Sequence, residues 1–455
     1  MPRFLFATGI EGSTPVIGDG RGGTIRQDLF ASTGHYDRWR EDFELAAGLG
    51  VAFLRWGPPI HRTWLGPDRY DWSFCDDALA RLRALGIQPI ADLCHFGMPD
   101  WLGNSFQNPE FAAEFPAYAR AFAARYRHVR FYTPINEIYI CARFSAELGW
   151  WNERLTSRGL GDAAPGARPA GGVWEAGPGA EVPFVTALAH LCRANLLAME
   201  AVLGITPNAL FVQSESTEYY HAVAPEVEPR AQFLNRRRFL SLDLTYGRHV
   251  SAPMYQYLND NGVDRDAYDW FMTRGPRLRR HCILGTDYYR TNEQLVHPDG
   301  RIHPAGEVFG YYVVMKDYEN RYHLPVMHTE TNYPEPEGAC EWLWRQAANV
   351  RRLRADHVAV VGFTWYGLVD MTDWDVALRE KRGTVNPVGL FDLDRRERPV
   401  ASAFRRLVRD YGHIEAWDSA LTILEHIEPA PAGPGPGGPE DEPGAGLEDA
   451  ALDAP

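Results

Sequence analysis

The stretch ELAAGLGVAFLRW (44–56) holds the unit that decides the architecture. From Asp37 onward Trp39, Phe43, Ala46 and Leu49 recur at helical spacing, so 37–49 reads as a helix with one apolar face. Gly50 stops it, because the residue just past a helix end often takes the left-handed backbone that glycine adopts without strain. The run VAFLRW (51–56) follows at once and reads as a buried strand. The pattern then repeats, with a helix over Asp76 to Leu85, Gly86 as its stop, and QPIADLCH (88–95) as the next strand. A glycine-ended helix feeding directly into an apolar run, twice, is the mark of a parallel βαβ chain.

Working outward, Phe4 to Thr8 reads as the first strand. A helix from Glu110 to Tyr126 leads to VRFYTPIN (129–136), and a helix from Pro183 to Leu203 leads to ALFVQSES (209–216). CILGTDYY (282–289), LPVMHTE (324–330) and VAVVGFTWY (358–366) complete the set, and a helix from Val400 to Tyr411 stops at Gly412. Eight strands with helices between them predict an α/β fold, a single (β/α)₈ barrel over residues 1–415. Residues 152–181 are rich in Gly, Ala and Pro and read as an insertion over the barrel mouth. Beyond Glu428 the chain is Pro, Gly, Ala and acid with no basic residue, so 428–455 reads as a disordered tail that cannot bury enough apolar surface to fold.

Composition narrows the function classes. A net charge of -14 over 455 residues argues against nucleic acid, which calls for a basic face. No segment reads as long and apolar enough to span a membrane, and the start, MPRFLFATGIEGS, lacks the features of a secretory signal. The six cysteines are scattered without a CxxC pair, which predicts reduced, buried thiols and a cytoplasmic setting. Only Lys316 and Lys381 occur, neither in an apolar strand pattern, so Schiff-base chemistry is disfavoured. The DGRGG run (19–23) lacks the lysine and the strand-helix context of a phosphate loop. His328 and Glu330 lie two apart, but no other ligand cluster supports a metal; neither metal nor cofactor is expected.

Barrels of this kind carry their chemistry where the strands end. Those ends offer Glu11, Arg55, His95, Asn136, Glu137, Glu215, Tyr288, Tyr289, Glu330 and Trp365. Paired carboxylates on well-separated strands can flank a sugar, one protonating the leaving oxygen and the other attacking the anomeric carbon. Glu137 and Glu330 fit those two roles, with Arg55 and Tyr289 as partners that favour an ionised Glu330. Blander readings stand beside these. His95 is a sugar contact or a hydrogen-bonded core histidine, Trp365 a sugar platform or core packing, and Glu11 a structural residue. Glu215 is open between substrate contact and support. Trp150, Trp151 and Trp174 line a cleft or merely anchor the insertion.

Five segments resemble the family 1 β-glycosidases over roughly residues 3 to 411. HFGMPDWL (95–102) resembles the family's His-Trp-x-x-Pro-x-Trp-Leu, TPINEI (133–138) its Thr-x-Asn-Glu-Pro, and HTETNY (328–333) its Thr-Glu-Asn-Gly. WYGLVDMTDW (365–374) with VGLFDLDRRERP (388–399) resembles the closing tryptophan segment, and 44–56 the approach to the strand-two arginine. The resemblance implies a cofactor-independent retaining β-glycosidase, β-glucosidase-like, acting on a small soluble glycoside, with Glu137 as acid/base and Glu330 as nucleophile. It further implies substrate contacts or support from Arg55, His95, Asn136, Tyr289, Trp365, Asp373 and Trp374. Departures fall in the glycone pocket: Gly9 stands for a glutamine, Asp373 for a glutamate, Asp287 for an asparagine, and Ile138 for the proline after the acid/base. These leave the sugar unassigned. Transglycosylation with the same residues and a non-catalytic carbohydrate-binding barrel are the alternatives. The sequence does not fix the oligomeric state.

Overall fold

The computed structural model describes residues 4–103, 105–152 and 179–412. Eight parallel strands close a barrel: β1 (Leu5–Ile10), β2 (Phe53–Trp56), β3 (Gln88–Asp92), β4 (Phe131–Thr133), β5 (Leu210–Ser216), β6 (Cys282–Asp287), β7 (Val326–Glu330) and β8 (Val360–Tyr366). Each pairs with its neighbours in sequence, and β8 pairs with β1 to close the ring. The (β/α)₈ architecture expected from the sequence is therefore the one formed. The helices used below are α1 (His35–Gly48), α2 (Ser73–Ala84), α3 (Pro109–Arg125), α4 (Ile138–Ala142), α5 (Glu181–Leu203), α6 (Arg265–Arg279), α7 (Gly310–Tyr322), α8 (Pro336–Ala355) and α9 (Pro399–Tyr411).

Two apolar layers hold this ring together. Leu5, Ala7, Ile90, Phe131, Leu210, Val212, Ile283, Met327 and Val361 fill the barrel interior. The opposite faces of the same strands meet the helices in a much larger shell, where Trp39, Phe43 and Ala46 of α1 sit as the periodicity required. Burial of each such side chain contributes about 1.5–3 kcal/mol.

Several expectations need correction. The fourth strand ends at Thr133 rather than 136, because Pro134 has no N–H for a ladder and Glu137 takes a left-handed backbone, φ 40°. The third ends at Asp92, three residues before His95, and Phe96 is also left-handed at φ 66°. Helices at 228–237, 240–246 and 252–260 lie between β5 and β6, and a small sheet joins 219–222, after β5, to 293–296 and 302–304, after β6; none of these was expected. The helices are short because Pro229 and Pro253 stand in their first turns and Gly247 and Gly262 follow their ends, which hides their period. The 23-residue α5 is, by length and composition, apolar enough to cross a membrane, contrary to the sequence reading. Its Phe184, Leu188, Leu191 and Met199 are buried instead, and it packs on α3, so its apolarity serves the core. All six cysteines carry free thiols and five are buried. The proposed tail lies outside the described residues, as do 153–178 of the insertion.

One buried ion cluster ties the chain after β8 back to α1. Arg395 Nε and Nη2 donate to Asp42 Oδ1 and Oδ2 at 2.7 and 3.0 Å, while His35 Nδ1 lies 2.8 Å from Asp42 Oδ2. Burial alone would raise the Asp42 carboxyl, but hydrogen bonds from His35 and Arg395 hold it below its ordinary value. Removing one member leaves the others buried and uncompensated. Asp42→Ala is therefore expected to cost about 3–5 kcal/mol in chemical denaturation, far more than truncation of an exposed acid.

Candidate active site

Arg55, on β2, reaches across the barrel mouth fully buried. Its Nη1 donates to Glu330 Oε1 at 2.5 Å and to the Thr329 carbonyl at 3.2 Å. Its Nη2 donates to Asn136 Oδ1 at 2.8 Å and lies 3.4 Å from Asp92 Oδ2, and its Nε is 3.2 Å from Glu11 Oε1. One guanidinium thus contacts residues at the ends of β1, β3, β4 and β7. Burial opposes its charge, but Glu11, Glu330, Asp287 and Asp92 outweigh that and hold it firmly cationic. Tyr289, just beyond β6, donates its hydroxyl to the other Glu330 oxygen at 2.7 Å. Both Glu330 oxygens therefore accept hydrogen bonds, one of them from a cation.

Glu137 is built differently. Its backbone N–H donates to the Ser214 carbonyl at 2.9 Å, and its left-handed φ turns the chain sharply into α4. Its side chain is the more accessible of the pair, 8% against 1% for Glu330. Burial, then the neighbouring Asp287, Glu330, Glu215 and Glu218, push its carboxyl well above the usual carboxylate range. Asp287 and Glu11 are also pushed up, by burial first and by Glu330 among their neighbours. Ser214 Oγ donates to Asp287 at 2.7 Å. Several carboxyls around one guanidinium cannot all ionise in a low-dielectric pocket, so protons are retained there.

His95 faces this cluster. Its Nδ1 is 2.8 Å from Asp92 Oδ2, its Nε2 has no hydrogen-bond partner among the described residues, and its ring lies 6.2 Å from that of Tyr366. Asn136 gives its oxygen to Arg55, and its Nδ2 has no partner among the described residues. Trp374 is half-buried at the mouth beside Tyr366 and Tyr289, with ring centroids 5.6 and 6.3 Å away. These residues come together as expected.

Two expected contacts do not. Trp365 points outward into the shell between barrel and helices, fully buried, with Nε1 donating to the Val388 carbonyl at 3.1 Å. The ring that faces the pocket belongs to Tyr366, level with Gly9 on β1. A register shift between β7 and β8, at Val360 to Gly362, explains the exchange. Val361 faces the barrel interior, so simple alternation carries the inward face to Trp365; the extra residue moves it to Tyr366. Asp373 turns its carboxylate into its own loop, where it accepts from the backbone N–H groups of Arg382, Gly383 and Thr384 at 2.9, 3.0 and 2.9 Å. Its acceptor capacity is spent on shaping that turn.

Tyr366, Asp92 and Glu11, whose carboxyl meets Arg55 as an ion pair, are the pocket groups that motif reading missed or set aside. Glu11 fills the space beside Gly9: a Cβ there would lie 2.4 Å from Glu11 Oε2 and 2.7 Å from the Tyr366 ring. Asp92 had a signal in its position three residues before His95. Trp151 anchors locally, donating to the Ala377 carbonyl at 2.9 Å, and Trp150 lies under Arg379. Trp174 lies outside the described residues. The 19–23 run is a plain hairpin turn closed on Asp19.

Comparisons with known proteins agree with this picture. Residues 24–152, which include Arg55, His95 and Glu137, match the model of glycosyl hydrolase family 1. An aryl-phospho-β-D-glucosidase of Bacillus subtilis is 21% identical over 393 residues, spanning 76% of this chain and 78% of its own. A putative β-glucosidase of Oryza sativa is 29% identical over 162 residues, 33% of this chain and 50% of its own. The family 1 β-glucosidase of Thermotoga maritima superposes with a TM-score of 0.68 at 16% identity, covering 90% of this chain and 98% of that one. Fold and comparisons together define a glycoside hydrolase on a (β/α)₈ barrel. Within that class they support family 1, the β-glycosidases that the motifs resemble.

The shared guanidinium sets a pH-dependent expectation. Arg55→Met would leave Glu330, Glu11 and Asp92 without their cation, at a cost of about 3–5 kcal/mol near neutral pH. The stranded carboxyls would then bind protons more tightly folded than unfolded. The penalty should shrink as pH falls, which urea denaturation at pH 5 and pH 8 would measure.

Proposed function

We propose that the chain is a retaining β-glycosidase that hydrolyses a small β-glycoside by double displacement, with Glu137 as acid/base and Glu330 as nucleophile. The observation that carries this reading is the unequal wiring of the two carboxyls. Glu330 accepts hydrogen bonds from Arg55 and Tyr289 on separate oxygens, while Glu137 has acids rather than cations as its electrostatic neighbours. One is arranged to attack as a carboxylate and the other to arrive protonated.

In the first step Glu137 gives its proton to the glycosidic oxygen as the bond to the anomeric carbon breaks. A Glu330 oxygen forms an ester to that carbon. In the second, Glu137 takes a proton from water, the water oxygen bonds to the anomeric carbon, and the ester breaks to return both groups to their starting forms. On this reading Asn136 Nδ2 donates to a sugar hydroxyl and His95 Nε2 donates or accepts according to its tautomer, both lacking partners among the described residues, while Tyr366 and Trp374 supply the ring faces. Residues 1–415 act as one domain. A cytoplasmic setting belongs to the same reading, in keeping with six free thiols.

Incubation with activated 2-deoxy-2-fluoro β-glycosides of several sugars, followed by peptide mass spectrometry, tests the proposal. A single glycosyl adduct on Glu330 is the expected result and also identifies the glycone. No adduct with any sugar, in protein that melts cooperatively, would favour a binding barrel instead. With the accepted sugar in hand, Tyr366→Phe is expected to raise KM or lower kcat. Trp365→Phe should lower Tm with little change in KM, since its indole contacts Val388 rather than the pocket.

A further inference from the structure

Glu215 closes β5 and faces away from the pocket. Leu210 and Val212 line the barrel interior, and Ser214 bonds inward to Asp287, so alternation turns Glu215 toward the helix layer. There it is buried, 2% exposed, among Ser241, Cys192 on α5, Tyr246 and Tyr318 on α7. Both its oxygens accept from the Tyr139 N–H, each at 3.2 Å, and Oε1 also lies 3.2 Å from the N–H of Ser216. Tyr139 is two residues past Glu137, in the first turn of α4. The residue before Glu215 holds Glu137 itself, through the Ser214 carbonyl. The end of β5 therefore grips the acid turn at two points, the Glu137 N–H and the Tyr139 N–H.

That grip has something to hold. A non-glycine residue at φ 40° costs about 1–3 kcal/mol and persists only where its surroundings over-determine it. Ile138 follows Glu137 where the family motif has proline, so the chain here lacks the ring that would fix φ at the next residue.

Resting on the acid/base reading of Glu137, we propose that Glu215 is a positioning residue for that acid: its carboxylate clamps the turn that presents Glu137, and its charge helps Glu137 keep its proton. The groups around the pair are few in kind. Asp287 on β6, Glu330 on β7 and Glu218 beyond β5 join Glu215 in raising Glu137. Glu218 is paired with Arg143 at 3.0 Å, and Cys141 on α4 is a buried thiol. Burial pushes Glu215 up to about 7, against the hydrogen bonds that lower it. Its charge thus grows in the range where a glycosidase acid must stay protonated, a sign that favours acid catalysis as pH rises.

The test uses the full chain and two aryl or alkyl β-glycosides of one accepted sugar, a dinitrophenyl glycoside that needs no proton and an alkyl glycoside that does. For Glu215→Gln, with Tm used to verify folding, kcat/KM on the alkyl substrate should fall about 10-fold or more, against less than ~3-fold on the dinitrophenyl one. The basic limb of its pH profile should move to lower pH. Glu215→Asp, which keeps the charge, should restore that limb toward the parent. Equal losses on both substrates with an unmoved pH profile would make Glu215 merely structural and overturn the proposal. Azide separates this from failure of the acid/base reading. Glu137→Ala should form a glycosyl azide from the dinitrophenyl substrate; if Glu215→Ala does so instead, Glu215 is itself the acid/base and both claims fall.

Discussion

A single guanidinium, held without solvent at the centre of the barrel mouth, is the interaction on which the site depends. Arg55 touches groups presented by four other strand ends, and none of those strands is next to all the others. It therefore sets distances across the barrel that the backbone ladders alone do not. A lysine would make a poorer hub, because one point charge cannot direct donors to Glu330, Asn136 and Glu11 at once. The near absence of lysine from this chain and the planar fork of its arginines suit that task.

Around that hub the carboxyls sort by what else they can reach. Glu330 has two strong donors, Asp287 has a serine hydroxyl, and Glu11 has an ion-pair contact without a hydrogen bond. Glu137 has the left-handed turn that holds it and the opening it faces. A gradient of this kind arises from strand order rather than from any one residue, since the ends of β1, β3, β6 and β7 each bring a carboxyl toward the same guanidinium. It also means that a change at Asp92, which makes no hydrogen bond to either member of the reacting pair, reaches Glu330 through the shared cation.

Most of the barrel was legible because buried parallel strands are continuous apolar runs and their helices end on glycine, as at Gly50 and Gly86. Glu137, Glu330, Arg55, His95 and Asn136 were legible because each sits at a strand end inside a short motif. Trp365 and Asp373 were misread for different reasons. The first reading rested on its place at the end of the eighth strand, and the bulge that turns that end by one residue leaves no mark in the sequence. The second depended on assuming that a carboxylate in a binding motif faces the ligand, when three successive loop amides compete for it. The helices between 228 and 260 were hidden because each is too short for a period to emerge.

The bulge in β8 decides which ring the pocket meets. From Gly362 onward the inward face falls one residue later than alternation from Val361 would place it, so Tyr366 and not Trp365 faces the site. The two rings differ in chemistry. An indole can only donate from its ring nitrogen, whereas a phenol can both donate and accept. On the glycosidase reading, a pocket wall that can do both meets a sugar hydroxyl in either role, a versatility that one extra residue in β8 supplies.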